Sequence, residues 1–124
     1  MEHEKLRIQL FDGSRRAEKV LVLEGVLNAD TAFQLNDVAR AQELEALVID
    51  MSHVRSVDSS GLGVLIGLYA SYERTSRHLL LAGLNDRVWE LFRTCKIEDV
   101  FTRYANVADA EEILPAAVRS AAVN

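Results

Sequence analysis

Ala46-Leu47-Val48-Ile49-Asp50-Met51, then Val57-Asp58-Ser59-Ser60-Gly61-Leu62-Gly63, reads as an apolar strand that turns into a helix at a pair of hydroxyls. Leu47-Val48-Ile49 is near-continuous and apolar, the pattern of a strand covered on both faces in the middle of a parallel sheet. His53 to Val57 reads as a short loop. The helix beyond it is expected from Ser59 to about Arg74, with Leu62, Leu65, Ile66, Tyr69 and Tyr72 as its apolar positions. Serine is a favoured N-cap, so one of Ser59 and Ser60 is expected to cap this helix while the other is free for function. Asp58 reads as a second cap or as an anion facing the helix dipole. A helix start presents unpaired N–H groups and partial positive charge, an environment that suits a phosphate carried by a serine.

Outward from this turn the pattern repeats strand and helix. Leu6, Ile8 and Leu10 alternate with Arg7 and Gln9, Asp12-Gly13-Ser14 supplies a turn, and Val20-Leu21-Val22-Leu23 completes an opening hairpin. Ala32, Leu35, Val38 and Ala39 recur at helical spacing between Asp30 and Ala41, with Asn28 or Asp30 as the cap. Leu79-Leu80-Leu81-Ala82 is a further interior strand closed by Gly83. Asn85 caps a helix through about Thr94, and Val100 to Tyr104 is an edge-like strand. A last helix is expected from about Val107 to Val118, started by Asn106 or Asp109 and kinked or ended early by Pro115. The order predicts an α/β fold with a mixed four- to five-stranded sheet, parallel except at its first hairpin, and about four helices packed against it. Residues 1–124 read as one domain, with flexible ends at 1–4 and 119–124.

With 124 residues and 49% hydrophobic side chains, the chain can bury a full core without metals or disulfides. No apolar run approaches the roughly 18 residues that span a bilayer, so no membrane insertion is expected. Met1-Glu2-His3-Glu4-Lys5 is not signal-like, and a cytoplasmic protein is expected. Cys95, alone and at helical spacing with Val88, Leu91 and Phe92, reads as a buried core thiol. The net charge is −5 and the basic residues are scattered, so nucleic acid is not an expected partner; a basic or apolar protein surface is.

Gly61, Gly63 and Gly67 fall inside the expected helix, where each costs about 1 kcal/mol relative to alanine. Gly63 and Gly67 share a face, which serves either tight packing on the sheet or a flat surface for another protein. Gly61 is expected to free the entry turn. Enzymatic readings find little support. A nucleophile elbow needs glycine two residues before the serine, and Val57 and Asp58 occupy those places. The spacing of Gly61, Gly63 and Gly67 misses the dinucleotide pattern, and no phosphate-binding Gly-Lys-Ser/Thr loop occurs. No Cys/His cluster has metal-ligand spacing. No catalytic residue, cofactor or metal is expected.

From about Val20 to Ile113 the chain resembles the STAS domains, and among them the bacterial anti-sigma-factor antagonists. The resemblance rests on Leu23-Glu24-Gly25-Val26-Leu27-Asn28 with Thr31-Ala32, on Leu47-Val48-Ile49-Asp50, and on Val57-Asp58-Ser59-Ser60-Gly61-Leu62-Gly63-Val64. It implies a STAS-like fold and a partner-switching cycle. The unphosphorylated antagonist binds an anti-sigma factor that is also a serine kinase, phosphorylation with ATP ends the complex, and a serine phosphatase restores the hydroxyl. The phosphoacceptor maps to Ser59. Asn28, Asp30, Thr31, Asp58, Ser60, Gly61 and Gly63 form the expected docking face, and the kinase brings the nucleotide and magnesium. Many antagonists carry aspartate where this chain has Asn28, which keeps the size and loses the charge. An alternative role for such domains is a constitutive, unphosphorylated subunit of a stress-signalling scaffold or a lipid-transport ATPase complex.

Overall fold

In the computed structural model, which describes residues 5–114, five strands form one sheet in chain order: β1 (Arg7–Asp12), β2 (Glu18–Leu27), β3 (Ala46–Val57), β4 (His78–Ala82) and β5 (Arg103–Tyr104). β1 is antiparallel to β2, and every later pairing is parallel. The crossovers carry α1 (Ala32–Arg40), α2 (Ser59–Arg74) and α3 (Asp86–Thr94), and α4 covers residues 107–114. Parallel neighbours require such crossovers, so the strand and helix order read from the sequence leads directly to this mixed sheet.

Strand alternation divides the core in two. Leu21, Leu23, Leu47, Ile49, Met51, Leu79 and Leu81 pack against Leu35, Ala39, Leu65, Leu68, Tyr72, Val88 and Phe92 of α1, α2 and α3. The other face sets Val20, Ala46, Val48 and Ala82 against Ala110 and Leu114 of α4. Residues 46 to 49 are thus covered on both sides, at 1% exposure or less, as an interior strand requires.

Several local expectations change. β3 does not stop at Met51. It continues to Val57 alongside Glu24 to Leu27, with register shifts between Val22 and Glu24 and between Gly25 and Val26. The polar residues read as a loop lie on the open side of this strand, while Val54 enters the core. The last strand shrinks to Arg103–Tyr104 because Phe101 leaves the sheet to pack edge-on against Tyr69 and Phe92, at ring distances of 5.0 and 5.5 Å. Cys95 is exposed, since α3 ends at Thr94 and the chain turns away from the apolar face there. Asn85 caps α3 as expected, through Val88 N–H at 2.8 Å, and Asn106 accepts from Asp109 N–H at the start of α4. The Pro115 kink, the end of the last helix and the flexible ends lie outside the described residues.

Glu18 is the one buried acid among the described residues, at 5% exposure. Burial pushes its carboxyl above the ordinary carboxylate range; nearby Arg15 opposes this, and Glu111 and Glu45 reinforce it. The folded state therefore disfavours the charged form, and this site adds stability as pH falls through the raised folded value. Glu18→Gln is expected to raise the urea midpoint at neutral pH, with the gain shrinking in mildly acidic buffer. A gain independent of pH would contradict the assignment.

Candidate functional site

The β2–α1 loop and the β3–α2 turn meet at the C-terminal edge of two parallel strands, the usual place for a site in an open α/β sheet. Leu27 pairs with Val57, and the Asp58 N–H donates to the Leu27 carbonyl at 3.1 Å. Residues 28 and 58 are therefore held side by side by the backbone.

Asp58, in extended conformation, is the N-cap of α2. Its Oδ1 accepts from Gly61 N–H at 3.0 Å, and its carbonyl accepts from Leu62 N–H at 2.9 Å. This corrects the expectation that one serine caps. Both Ser59 and Ser60 lie inside the first turn, both are exposed, and neither hydroxyl takes a hydrogen-bond partner among the described residues. Aspartate and serine cap equally well. The choice falls to Asp58 because the strand remains paired through Val57, so residue 58 is the first that can leave the sheet.

The Asn28 loop is closed from within. Asn28 Oδ1 accepts from the N–H groups of Asp30 and Thr31 at 2.9 and 3.2 Å. Thr31 Oγ1 accepts from Asn28 N–H at 2.9 Å and lies 2.8 Å from the Val26 carbonyl, to which it donates. Asn28 thus organises the loop ahead of α1, while Thr31, 2% exposed, sits at the N-cap position without a side-chain cap bond. Of the expected docking residues, Thr31 and Gly61 are buried and act as supports. Asp30, Asp58, Ser59, Ser60 and Gly63 are exposed, and Asn28 is half-buried.

The glycines separate by role. A Cβ at Gly61 would collide with the Leu27 carbonyl oxygen and come within 2.8 Å of Leu27 Cγ, so this residue, expected only to free the turn, lets α2 press on β2. A Cβ at Gly63 would meet nothing within 4 Å, and one at Gly67 only Arg40 Nη2 at 3.9 Å. Sheet packing therefore does not explain Gly63, and the flat-surface reading remains. Phe33, 58% exposed in the first turn of α1 just past the Asn28 loop, adds an apolar side chain beside this face. Sequence reading missed it, although it lies out of phase with the Ala32, Leu35, Ala39 stripe and could have been flagged on that ground.

Among the described residues no group of three or more His, Cys, Asp or Glu side chains could hold a metal, and no helix is long and apolar enough to cross a membrane. A flat, exposed helix start whose hydroxyls have no partner among the described residues, propped by buried supports, stands at the edge of this α/β sheet. The chain belongs to the STAS domain family, whose model matches residues 16–110. Over 83 residues, 64% of this chain and 73% of the relative, it is 30% identical to an anti-sigma-B factor antagonist of Listeria monocytogenes. Its fold is similar to that of SpoIIAA, an anti-sigma factor antagonist solved in its unphosphorylated form, with a TM-score of 0.73 at 18% identity over 89% of this chain and 97% of that one. A sulfate transporter family protein from Wolinella succinogenes shares the fold with a TM-score of 0.76 at 18% identity, over 87% and 93% of the two chains.

Proposed function

We propose that this chain is an anti-sigma-factor antagonist of the cytoplasm, a binding module rather than an enzyme. Unphosphorylated, it docks on an anti-sigma factor that is also a serine kinase; phosphorylation of Ser59 releases it, and a serine phosphatase resets it. The observation that carries this reading is the exposed Ser59 hydroxyl, without a partner among the described residues, in the first turn of a helix whose cap is already supplied by Asp58. The serine is not needed to hold the helix start, so it can be modified without loss of a structural bond. Among the described residues the N–H groups of Ser59 and Ser60 have no acceptor, and a phosphate in this place meets the positive end of the helix. Asp30, Asp58, Ser60, Gly63 and half-buried Asn28 form the contact face, with Thr31 and Gly61 behind it.

Asn28 in place of aspartate bears on the constitutive alternative. Asn28 Oδ1 accepts the two loop N–H bonds that one carboxylate oxygen would accept, so the loop keeps its shape. Its amide Nδ2, without a partner among the described residues, offers a donor where a second carboxylate oxygen would offer charge. That exchange removes one repulsion from a nearby phosphate and favours the switching reading.

The test is incubation with a serine kinase of the anti-sigma-factor class and ATP, followed by mass spectrometry. Phosphate is expected on Ser59, and Ser59→Ala is expected to abolish its incorporation. Phosphate on Ser60 or elsewhere, with a kinase active on its own antagonist, overturns the assignment.

A further inference from the structure

β1 is the outer strand of the sheet, and among the described residues β2 is the one strand it pairs with. Its six pairs with β2 run without a register shift. The strand holds no proline and no lysine, and its charged residues, Arg7 and Asp12, stand at its two ends. Bulges, prolines and lysines are the devices that keep an open edge from pairing with another chain. This edge has none of them.

The ladder fixes which backbone groups face outward. The Gly13 N–H donates to the Glu18 carbonyl at 2.9 Å, which extends the β1–β2 register by one hydrogen-bonded pair. Bonded and non-bonded pairs alternate in an antiparallel ladder. Arg7, Gln9 and Phe11 therefore bond to β2, while Ile8, Leu10 and Asp12 turn their N–H and C=O groups to the open side. Side chains alternate with the same period. Ile8 and Leu10 are half-buried against the core shared with α1, α2 and α3, and Arg7, Gln9 and Phe11 are exposed on the other face, Phe11 at 50%.

We infer that this edge pairs with the same edge of a second copy of the chain, antiparallel about a two-fold axis through Gln9. An axis perpendicular to the sheet keeps like faces together, so opposed residues must belong to the same face. Two such registers pair five residues of the strand. Centring on Leu10 sets the Asp12 carboxylate against Ile8 of the second copy. Centring on Gln9 sets Ile8 against Leu10 of the second copy, which extends the apolar layer, and Arg7 against Phe11. In that register Ile8 and Leu10 of the two copies exchange four backbone hydrogen bonds, counted from the ladder rule. Arg7 and Phe11 form the closer, non-bonded type of pair, with Cα atoms about 4.5 Å apart, which brings a guanidinium to an exposed ring. Gln9 meets itself without charge. An extended segment of another protein satisfies the same backbone groups, but the match of this edge with itself, side chain by side chain, favours the second copy. Ser59 follows β3, two strands in from this edge, so pairing is separate from the switch.

Sedimentation equilibrium of the full chain from about 10 µM to about 1 mM, the range of a small interface, is expected to give a monomer–dimer equilibrium without larger species, since pairing uses up the edge. Gln9→Lys opposes two ammonium groups across the axis and should weaken the dimer at least about tenfold. Gln9 is exposed, and an unchanged melting profile verifies that the variant folds. Cross-linking reads the register. In a Cys95→Ser background, Gln9→Cys sets two thiols on the axis within disulfide reach and should form a covalent dimer on mild oxidation at least about tenfold faster than Phe11→Cys, whose thiol faces Arg7. Ser59→Asp is expected to dimerise like the parent, which keeps this test apart from the phosphorylation assay. A chain monomeric throughout the range, a dimer indifferent to Gln9→Lys, or equal cross-linking at positions 9 and 11 overturns the proposal.

Discussion

Ser59→Asp is expected to bind the anti-sigma factor about a hundredfold more weakly than the parent chain, while Ser59→Ala retains parental affinity. The hydroxyl makes no hydrogen bond among the described residues, so neither substitution removes a structural contact. A carboxylate in the first turn gains about 0.3–1 kcal/mol from the helix end, and Asp58 next to it repels by a similar amount. Folding stability should therefore hardly move. Across an interface that accepts the bare serine the balance differs, because a stranded or opposed charge costs several kcal/mol, and about 3 kcal/mol is close to a hundredfold. Calorimetry on both variants, with melting curves as the folding control, reads the difference. Equal affinities would sink the electrostatic switch while leaving the fold untouched.

Gly61→Ala is expected to destabilise the fold by about 3 kcal/mol, the upper part of the usual range for overpacking. The added methyl meets a backbone carbonyl, that of Leu27, which cannot swing aside as a flexible side chain can. Relief requires α2 to lift from β2, which disturbs the Asp58 N–H bond to the same carbonyl. Gly63→Ala, two residues on, meets no atom within 4 Å and should raise stability by up to about 1 kcal/mol through helix propensity. If the bare Gly63 surface is the contact face, the same alanine weakens partner binding even as it stabilises the chain. Chemical denaturation of the two variants side by side checks the contrast, and similar midpoints would show that Gly61 is not the packing contact.

Much of the site was legible because its signals are local. Asp58 followed by two serines and a glycine marks a helix start wherever it follows an apolar strand, and Asn28 and Asp30 mark the approach to α1, although the N-cap position itself falls to Thr31. What escaped is non-local. His53 and Arg55 read as loop because their polarity is judged alone, yet β2 pairs with His53, Val54, Ser56 and Val57 and makes the stretch part of a long strand, with Arg55 at a register shift. Cys95 carries the ordinary signature of a core residue and is exposed because α3 ends before it, whereas the exposure of Phe33 follows from its place out of phase with the α1 stripe.

The sequence by itself determined the order of strands and helices, the parallel core around Leu47, Val48 and Ile49, and the turn at which Ser59 stands, since periodicity and capping preference act over a few residues. Only the tertiary structure decided which of Asp58, Ser59 and Ser60 caps the helix and which glycine packs. Three capping-competent residues in a row are equivalent to the chain locally, and so are glycines two and four apart. The tie is broken by Leu27, whose backbone carbonyl takes the Asp58 N–H and leaves no room for a side chain at residue 61.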